Sequence, residues 1–222
     1  MNKADYAWTE SELAVANLLV DAGCVSVSLE SWFRLASGLL APIYFDCRVL
    51  WSYYPRRQVM RDLMYAALPP YGSDLVPEAI VGVATGGIVP AFMLADFMFL
   101  PFAYVRPHVK PYGREAVIEG HLPPGCKLLV VEDHVTTGGS LLSALDALNG
   151  HDCSVLSIMD YGLPSVYRKV REKASTWIHL TGFPAVVRAM LDRGMMNREG
   201  SEVIWDWRDS LEPEGDSNCG VS

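Results

Sequence analysis

The sequence predicts an α/β domain with a central, mostly parallel sheet flanked by helices. From Ala79 onward, near-continuous apolar runs alternate with helix-like segments, and each apolar run ends in a glycine-rich or polar turn. Strands of this kind are typical of parallel sheets that helices cover on both faces. Because 222 residues suit one globular unit, we expect a single domain over residues 1–222.

The N-terminal segment, residues 1–50, is expected to form a helix and a small hood. Thr9 and Glu12 have the spacing of a capping box, LAVANLLV supplies an apolar face, and Gly23 marks the end of the helix. VSVSL alternates as a short strand should. SWFRLASGLLAPIYFDCRVL is expected to contain extended pieces joined by turns at SG and AP.

The middle of the chain carries the clearest alternation of helices and strands. A helix is expected to begin at Pro55, with an apolar stripe formed by Val59, Met60, Leu63, Met64 and Ala67. After the loop PPYGSD, the strand AIVGVA leads through TGG into the helix VPAFMLADFMF. FAYVR is expected to be a strand and KPYGREAVIEGHLPPG a polar loop.

The remaining segments complete the expected α/β order. KLLVVED and CSVLSIMDYG have strand patterns, and SLLSALDALNG, SVYRKVREKA and PAVVRAMLDRGM have helical ones. Residues 185–222 are expected to form a helical C-terminal extension, which Trp205 and Trp207 pack onto the body. Its last ~10 residues are acidic and small, and they are expected to be flexible.

Composition excludes several classes of protein. The formal net charge of -8 argues against a nucleic-acid binder with a broad basic surface. The five cysteines are scattered and form no C-x-x-C pair, so free thiols in a reducing compartment are expected. The N-terminus lacks the apolar stretch of a signal peptide, and no apolar run reaches the length of a membrane span. We therefore expect a soluble, cytoplasmic protein with no membrane or nucleic-acid partner.

The stretch LLVVEDHVTTGGSLLSAL predicts an anion site. A strand that leads through a glycine turn into a helix presents free backbone N–H groups at the positive end of that helix. Thr136, Thr137 and Ser140 add hydroxyl donors, while Gly138 and Gly139 let the backbone approach the anion closely. The stretch lacks the Gly-Lys-Ser/Thr ending of a P-loop.

Two adjacent carboxylates, Glu132 and Asp133, precede this turn. Taken alone, such a pair commonly forms a solvated turn or a helix cap. Beside a phosphate site, it also suits acceptors for the hydroxyls of a sugar. With the acidic pair included, the stretch resembles the phosphoribosyl-pyrophosphate (PRPP) signature of type I phosphoribosyltransferases. The resemblance implies that family's fold.

The resemblance also implies roles for individual residues. Glu132 and Asp133 would accept hydrogen bonds from the ribose hydroxyls, and Asp133 would belong to the catalytic residues. The 5′-phosphate would be surrounded by Val135, Thr136, Thr137, Gly138, Gly139 and Ser140. His134 is expected to face solvent or to pack. A second turn, formed by Thr85, Gly86 and Gly87, is by itself an ordinary packing turn. Beside the signature it resembles the loop that holds the pyrophosphate.

The segment YVRPHVKPYGREAVIEG narrows the family. By itself it is an exposed basic loop, but its pattern resembles the catalytic loop of orotate phosphoribosyltransferases. The resemblance implies a mobile lid in which Lys110 and Arg106 are catalytic and Tyr112 contacts PRPP. FRLASGLLAPIYFDCRVL, residues 33–50, resembles the hood of the same family.

The family resemblance implies the reaction and its partners. Orotate would attack C1′ of PRPP, giving orotidine 5′-monophosphate and pyrophosphate. Mg²⁺ would be the cofactor, held mainly through PRPP with no direct protein ligand. Thr136, Tyr44 and Phe45 are the candidates for holding the base. A homodimer is implied, because the lid of this family typically reaches the neighbouring subunit's site.

Several positions depart from the family pattern. Tyr161 stands where many members have an arginine that binds the carboxylate of orotate. Pro107 and Gly86 stand where some members have lysines. These departures leave two alternatives open: a phosphoribosyltransferase for another nucleobase, and a non-catalytic PRPP-binding regulator.

Overall fold

The computed structural model describes residues 8–35, 38–70, 73, 76–110 and 113–213, without the side chains of 107–110 and 113–116. The expected flexibility of the last residues concerns 214–222, which lie outside this range. Helix α1 spans Glu10–Asp21, and the predicted capping box is confirmed. The Thr9 side chain accepts from the Glu12 N–H at 3.2 Å, and the Glu12 carboxylate accepts from the Thr9 N–H at 2.7 Å.

The hood consists of two small antiparallel ladders. Strand β1 (Val25–Val27) pairs with β4 (Ile43–Phe45), and β2 (Phe33–Arg34) pairs with β3 (Leu40–Ala41). The expectation that this segment is extended was wrong at its end, where Arg48–Trp51 forms the short helix α2. Asp46 starts that helix, because its carboxylate accepts from the Arg48 N–H at 3.0 Å.

Helix α3 spans Tyr54–Ala66 and has Pro55 in its first turn, as predicted. Its buried stripe is narrower than expected. Met60 and Met64 are fully buried, but Val59 is 48 % exposed. The helix rests against α4 (Ile88–Met98), so its apolar face is only as wide as one neighbouring helix can cover.

The predicted central, mostly parallel sheet is confirmed. Its strand order is β10-β9-β8-β5-β6-β7, and β7 alone of these six runs antiparallel to its neighbour. The strands are β5 (Ala79–Val83), β6 (Phe102–Lys110), β7 (Gly113–Glu119), β8 (Lys127–Val135), β9 (Asp152–Asp160) and β10 (Thr176–Gly182).

Two edge strands correct the sequence prediction. The segment predicted as a polar loop forms β7, which pairs with β6 from Tyr104↔Glu119 to Lys110↔Gly113. Strand β10 was not predicted; it lies between two segments expected to be helical, and it pairs with β9 through Trp177↔Val155 and five further positions. Both segments carry many polar residues, so their strand conformation depends on an available neighbour rather than on local preference.

Helices cover both faces of this sheet. The chain moves from β5 through α4 to β6 in one direction, and from β8 through α5 (Gly139–Ala147) to β9 in the other. Right-handed crossovers in opposite directions put their helices on opposite faces. The remaining helices are α6 (Pro164–Arg171), α7 (Phe183–Asp192) and α8 (Arg198–Asp209). Among the described residues, no helix is long and apolar enough to cross a membrane.

Candidate active site

The strand order predicts where a ligand binds. From β5 the chain crosses to β6 on one side of that strand. From β8, on the other side of β5, the chain crosses to β9 in the opposite direction, so the direction of the connections reverses between β5 and β8. In open parallel sheets, ligands bind beyond the carboxyl ends of the strands at such a reversal. The TGG turn follows β5, and the turn from Thr136 to Gly138 follows β8, whose last residues are Glu132 to Val135.

The loop after β8 forms the predicted anion cradle. Gly138 precedes α5 with φ of 74°, a conformation that glycine adopts without strain. The structure shows no side-chain hydrogen bond at this cap, so the first N–H groups of α5 are open to an acceptor. A Cβ on Gly138 would also lie 2.7 Å from Cγ1 of Val166, which seats the loop against α6. Thr137, Gly139 and Ser140 are exposed around this end of the helix.

The two carboxylates are buried, in contrast to a solvated turn. Glu132 is 5 % exposed and Asp133 is 6 % exposed. Burial, together with the charge of Asp133, raises the pKa of Glu132 well above its usual value. Burial also works to raise the pKa of Asp133, but electrostatic attraction and hydrogen bonding from His134 outweigh it and lower that pKa. Of the two carboxylates, Asp133 is therefore the one whose charged form is favoured, and among the described residues Oε2 of Glu132 has no hydrogen-bond partner.

His134 is closer to the chemistry than the sequence indicated. Its Nδ1 lies 3.3 Å from Oδ2 of Asp133, and its ring packs 5.4 Å from the ring of Phe45. The expectation that His134 packs against its neighbours is confirmed, whereas its contact with the Asp133 carboxylate was not predicted. Phe45 itself is 4 % exposed, so its side chain supports the histidine.

The TGG loop lies directly against the carboxylates. A Cβ on Gly86 would fall within the carboxylate group of Asp133, and one on Gly87 would fall on the carbonyl oxygen of Val131. The Ala84–Thr85 peptide bond is cis. Thr85 is exposed, and helix α4 begins after Gly87 with no side-chain hydrogen bond at its described cap. The turn that opens α4 thus lies against the Asp133 carboxylate.

The lid residues are only partly described. Nε of Arg106 donates to Oε1 of Glu119 at 2.6 Å across the β6–β7 pair, and both side chains are partly exposed. Backbone pairing extends to Lys110 and Gly113. The Lys110 side chain and all of Tyr112 lie outside the described part of the chain. In the structure, the predicted catalytic arginine is paired with a carboxylate of its own sheet.

On the hood, Tyr44 is half-buried and its hydroxyl accepts from Nη2 of Arg48 at 3.4 Å. Arg48 is held by Asp46 through Nε at 2.7 Å and Nη2 at 2.8 Å. Hydrogen bonding from Arg48 also lowers the pKa of Asp46. Hydrogen bonding to Asp46 and, to a smaller extent, the charge of Asp133 raise the pKa of Arg48. Sequence reasoning did not single out Arg48, although its spacing after Asp46 within the quoted hood motif could have found it.

Tyr161 does not occupy an open base pocket. It is 3 % exposed, and its ring packs 5.1 Å from Phe183 and 5.9 Å from Trp207. Its hydroxyl is in hydrogen-bonding contact with the side chain of Thr136, and burial raises the pKa of that hydroxyl. Through its contact with Thr136, Tyr161 therefore supports the anion cradle. The predicted packing of Trp205 and Trp207 is confirmed, since each is 5 % exposed.

No cluster of three or more His, Cys, Asp or Glu side chains suited to a metal ion is present among the described residues. The hard oxygen donor closest to the two loops is the ionised Asp133. One carboxylate combined with ligand oxygens is a typical setting for Mg²⁺, so these residues fit a cation that a phosphorylated ligand brings with it.

Comparison with known proteins agrees with this geometry. Residues 71–176 match the family model described as "Phosphoribosyl transferase domain". The chain is 33 % identical over 204 residues to an orotate phosphoribosyltransferase of Porphyromonas gingivalis, covering 90 % of this chain and 96 % of the relative. For that of Staphylococcus saprophyticus, the identity is 33 %, with 89 % and 98 % covered. The crystal structure of an orotate phosphoribosyltransferase from Aeropyrum pernix has a TM-score of 0.66 and 29 % identity, covering 82 % of this chain and 99 % of that one.

Proposed function

Because the chain belongs to the orotate phosphoribosyltransferase family, we propose that it transfers the phosphoribosyl group of PRPP to orotate. The products are orotidine 5′-monophosphate and pyrophosphate. One observation carries this proposal: the carboxylate of Asp133 lies against the glycine turn that opens α4, and the glycine turn that opens α5 follows Asp133 in the chain. A ligand that offers hydroxyls in the middle and phosphates at both ends matches that order of groups.

Each part of PRPP has a place in this arrangement. The 5′-phosphate is bound by the loop from Val135 to Ser140, whose first α5 N–H groups are open. The ribose hydroxyls donate to Glu132 and Asp133. The pyrophosphate is held by the turn from Thr85 to Gly87, through the backbone N–H groups of Thr85 and Gly86, because those of Gly87 and Ile88 already donate to carbonyls of the chain.

The reaction needs charge stabilisation rather than a nucleophilic side chain. As the bond from C1′ to the pyrophosphate oxygen breaks, its electron pair leaves with the pyrophosphate and positive charge develops on the ribose. A ring nitrogen of orotate then forms the new bond to C1′ and loses its proton to the departing pyrophosphate. The negative charge of Asp133 favours the cationic ribose, and Arg106 and Lys110 favour the leaving pyrophosphate. Arg106 must exchange Glu119 for the pyrophosphate to do so.

The proposal includes Mg²⁺, which would be held mainly through the oxygens of PRPP with no direct protein ligand. When bound, the cation would neutralise charge on the pyrophosphate as it leaves. For the base, we propose Thr136 and the hood residues Tyr44 and Phe45. Phe45 acts there through its backbone, because its side chain is buried against His134.

We further propose one domain over residues 1–222, acting as a homodimer with the lid shared between subunits. Support comes from large apolar side chains that stay exposed on and beside α3 and α4, namely Tyr53, Tyr54, Tyr65, Phe92 and Phe97. Exposed clusters of this kind mark interfaces between proteins. A cytoplasmic location also belongs to the proposal, and the four described cysteines, all of them free, support a reducing compartment.

The test is a transfer assay with PRPP and Mg²⁺, using orotate, uracil and the common purine bases in parallel. We expect orotidine 5′-monophosphate and pyrophosphate in equal amounts with orotate. Turnover with another base and none with orotate would support the first alternative, a transferase of different base specificity. PRPP binding without turnover on any base would support the second, a non-catalytic regulator.

A further inference from the structure

Arg208 of helix α8 is a buried cation that no step of the proposed reaction uses. It is 6 % exposed. Its Nε donates to the carbonyl oxygen of Tyr161 at 2.8 Å, its Nη2 donates to the carbonyl oxygen of Gly162, and its Nη1 contacts Asp209 at 2.9 Å. Two of its donors are thus committed to the turn that follows β9, 46 and 47 residues away in the chain.

That turn is held from several sides. Gly162 has φ of 62°, and its N–H donates to Oδ1 of Asp160 at 2.5 Å. Three residues further on, the N–H of Ser165 at the start of α6 donates to Glu212, which follows α8, at 3.0 Å. The C-terminal extension therefore contacts both the turn and the helix after it.

The same turn supports the phosphate loop. The N–H of Tyr161 donates to the carbonyl oxygen of Val135 at 3.0 Å, and its hydroxyl contacts the side chain of Thr136. Cγ1 of Val166, at the start of α6, lies 2.7 Å from the position that a Cβ on Gly138 would take. A chain of direct contacts consequently leads from Arg208 through Tyr161 to Thr136.

Packing of α8 does not by itself account for an arginine here. Trp205 packs 5.0 Å from Phe183, and Trp207 packs against Tyr161 and donates to the carbonyl oxygen of Leu40 at 2.9 Å. These aromatic contacts bury apolar surface and join α8 to the hood and to the body. Burying a guanidinium is costly unless its donors are satisfied, so an arginine at this place is explained by the carbonyls it orients.

We propose that Arg208 is a positioning residue for the phosphate-binding loop, acting through the Tyr161–Gly162 turn to set the place of Thr136 and the start of α5. The extension thereby takes part in binding the 5′-phosphate of a phosphorylated ribose. This inference rests on the proposed function in one respect, the presence of that phosphate at the N-terminus of α5.

The test measures binding directly, by calorimetric titration with ribose 5-phosphate and with PRPP–Mg²⁺. We compare the wild type with Arg208→Met, Arg208→Lys, Tyr161→Phe and the Arg208→Met/Tyr161→Phe double variant. Arg208→Met is expected to weaken ribose 5-phosphate binding about tenfold, the usual range for a residue that acts through one intermediate. Arg208→Lys keeps a donor for one carbonyl and should recover part of that loss. The double variant should lose no more than Arg208→Met alone, because both changes break the same chain of contacts.

Matched measurements separate positioning from stability. Asp209→Asn leaves both carbonyl contacts of Arg208 in place and should bind ribose 5-phosphate as the wild type does. In turnover, Arg208→Met should raise KM for PRPP while kcat stays within about twofold, the reverse of what a general loss of folded protein produces. Should Arg208→Met fail to fold, Arg208→Lys and Tyr161→Phe are titrated with ribose 5-phosphate and with PRPP–Mg²⁺ in its place, and each should bind more weakly than the wild type.

Two results would overturn the inference: wild-type affinity for ribose 5-phosphate in a folded Arg208→Met protein, or independent, additive losses in the double variant. Neither touches the proposed function. Conversely, a wild type that binds ribose 5-phosphate but transfers nothing to orotate refutes the proposed transfer and leaves the test of Arg208 intact.

Discussion

The carboxylate of Asp133 occupies the space in which a side chain on Gly86 would lie. These residues are 47 positions apart, Gly86 on the turn after β5 and Asp133 near the end of β8, and they meet only because those strands are neighbours. The contact brings the group proposed to bind the ribose against the loop proposed to bind the pyrophosphate. A lysine at position 86, which some relatives of this fold are expected to carry, would require the carboxylate to move.

We therefore expect Gly86→Ala to displace Asp133. The change should raise KM for PRPP about tenfold or more, because a displacement of about 1 Å in a positioned group has effects of this size. Steady-state kinetics with PRPP varied at saturating orotate would measure it. Gly182→Ala is the matched control, since a Cβ there lies 3.5 Å from Cδ of Pro184 in ordinary contact. Equal kinetics in the two variants would contradict the prediction.

Glu132→Gln should stabilise the protein without ligand. The wild-type carboxyl is buried and its pKa is raised, so the folded state disfavours its charged form. Below the unfolded pKa of this group there is no cost, and the cost grows as pH rises through that value up to the raised folded pKa. The variant's gain should therefore be small in acid and reach about 1–3 kcal/mol at higher pH, the usual cost of an unsatisfied buried group.

Thermal unfolding of wild type and Glu132→Gln across pH would measure this gain. The exposed Glu202→Gln on α8 serves as the control, with no pH-dependent gain expected. The same Glu132→Gln protein should bind PRPP more weakly, because the amide replaces one carboxyl oxygen with an NH₂ group that cannot accept a hydrogen bond from a ribose hydroxyl. A variant that is less stable than wild type at every pH would refute the assigned burial cost.

The ion pair of Arg106 and Glu119 is expected to restrain the lid more than it stabilises the fold. Both side chains are partly exposed, so Glu119→Gln should change the free energy of unfolding by less than about 1 kcal/mol. Arg106→Gln should lower kcat about a hundredfold, the typical loss for one stabilising donor at a developing charge. Pre-steady-state product formation together with chemical denaturation would separate these effects. A large stability loss in Glu119→Gln would instead make the pair structural.

Lys110→Ala should nearly abolish turnover while leaving PRPP binding measurable. The ammonium is proposed to act on the leaving pyrophosphate, where charge develops only as the bond breaks. Single-turnover kinetics and PRPP titration, run on the same preparation, would give the two quantities. Lys169→Ala, on the exposed face of α6, is the control and should match the wild type. Retained turnover in Lys110→Ala would show that the lid has been assigned the wrong residue.

The sequence by itself determined the elements with strong local signals. The capping box at Thr9, the apolar runs of β5, β8 and β9 and the glycine turns after β5 and β8 were all predicted from neighbouring residues. Their conformations depend on hydrogen bonds and steric limits within a few positions, so a short window of sequence contains the necessary information. The motifs that carry the family resemblance are short stretches of the same kind.

Tertiary structure alone decided what depends on contacts between distant positions. Strands β7 and β10 form because β6 and β9 offer free edges, whereas local composition had suggested a loop for β7 and no element for β10. The contact between Gly86 and Asp133, and the bonds from Arg208 to the turn at Tyr161, each join residues that are more than forty positions apart. The burial of Glu132, which raises its pKa, also comes from surrounding elements. Solvent exclusion and pairing of this kind exist only once the chain has folded, so no pattern along the sequence could reveal them.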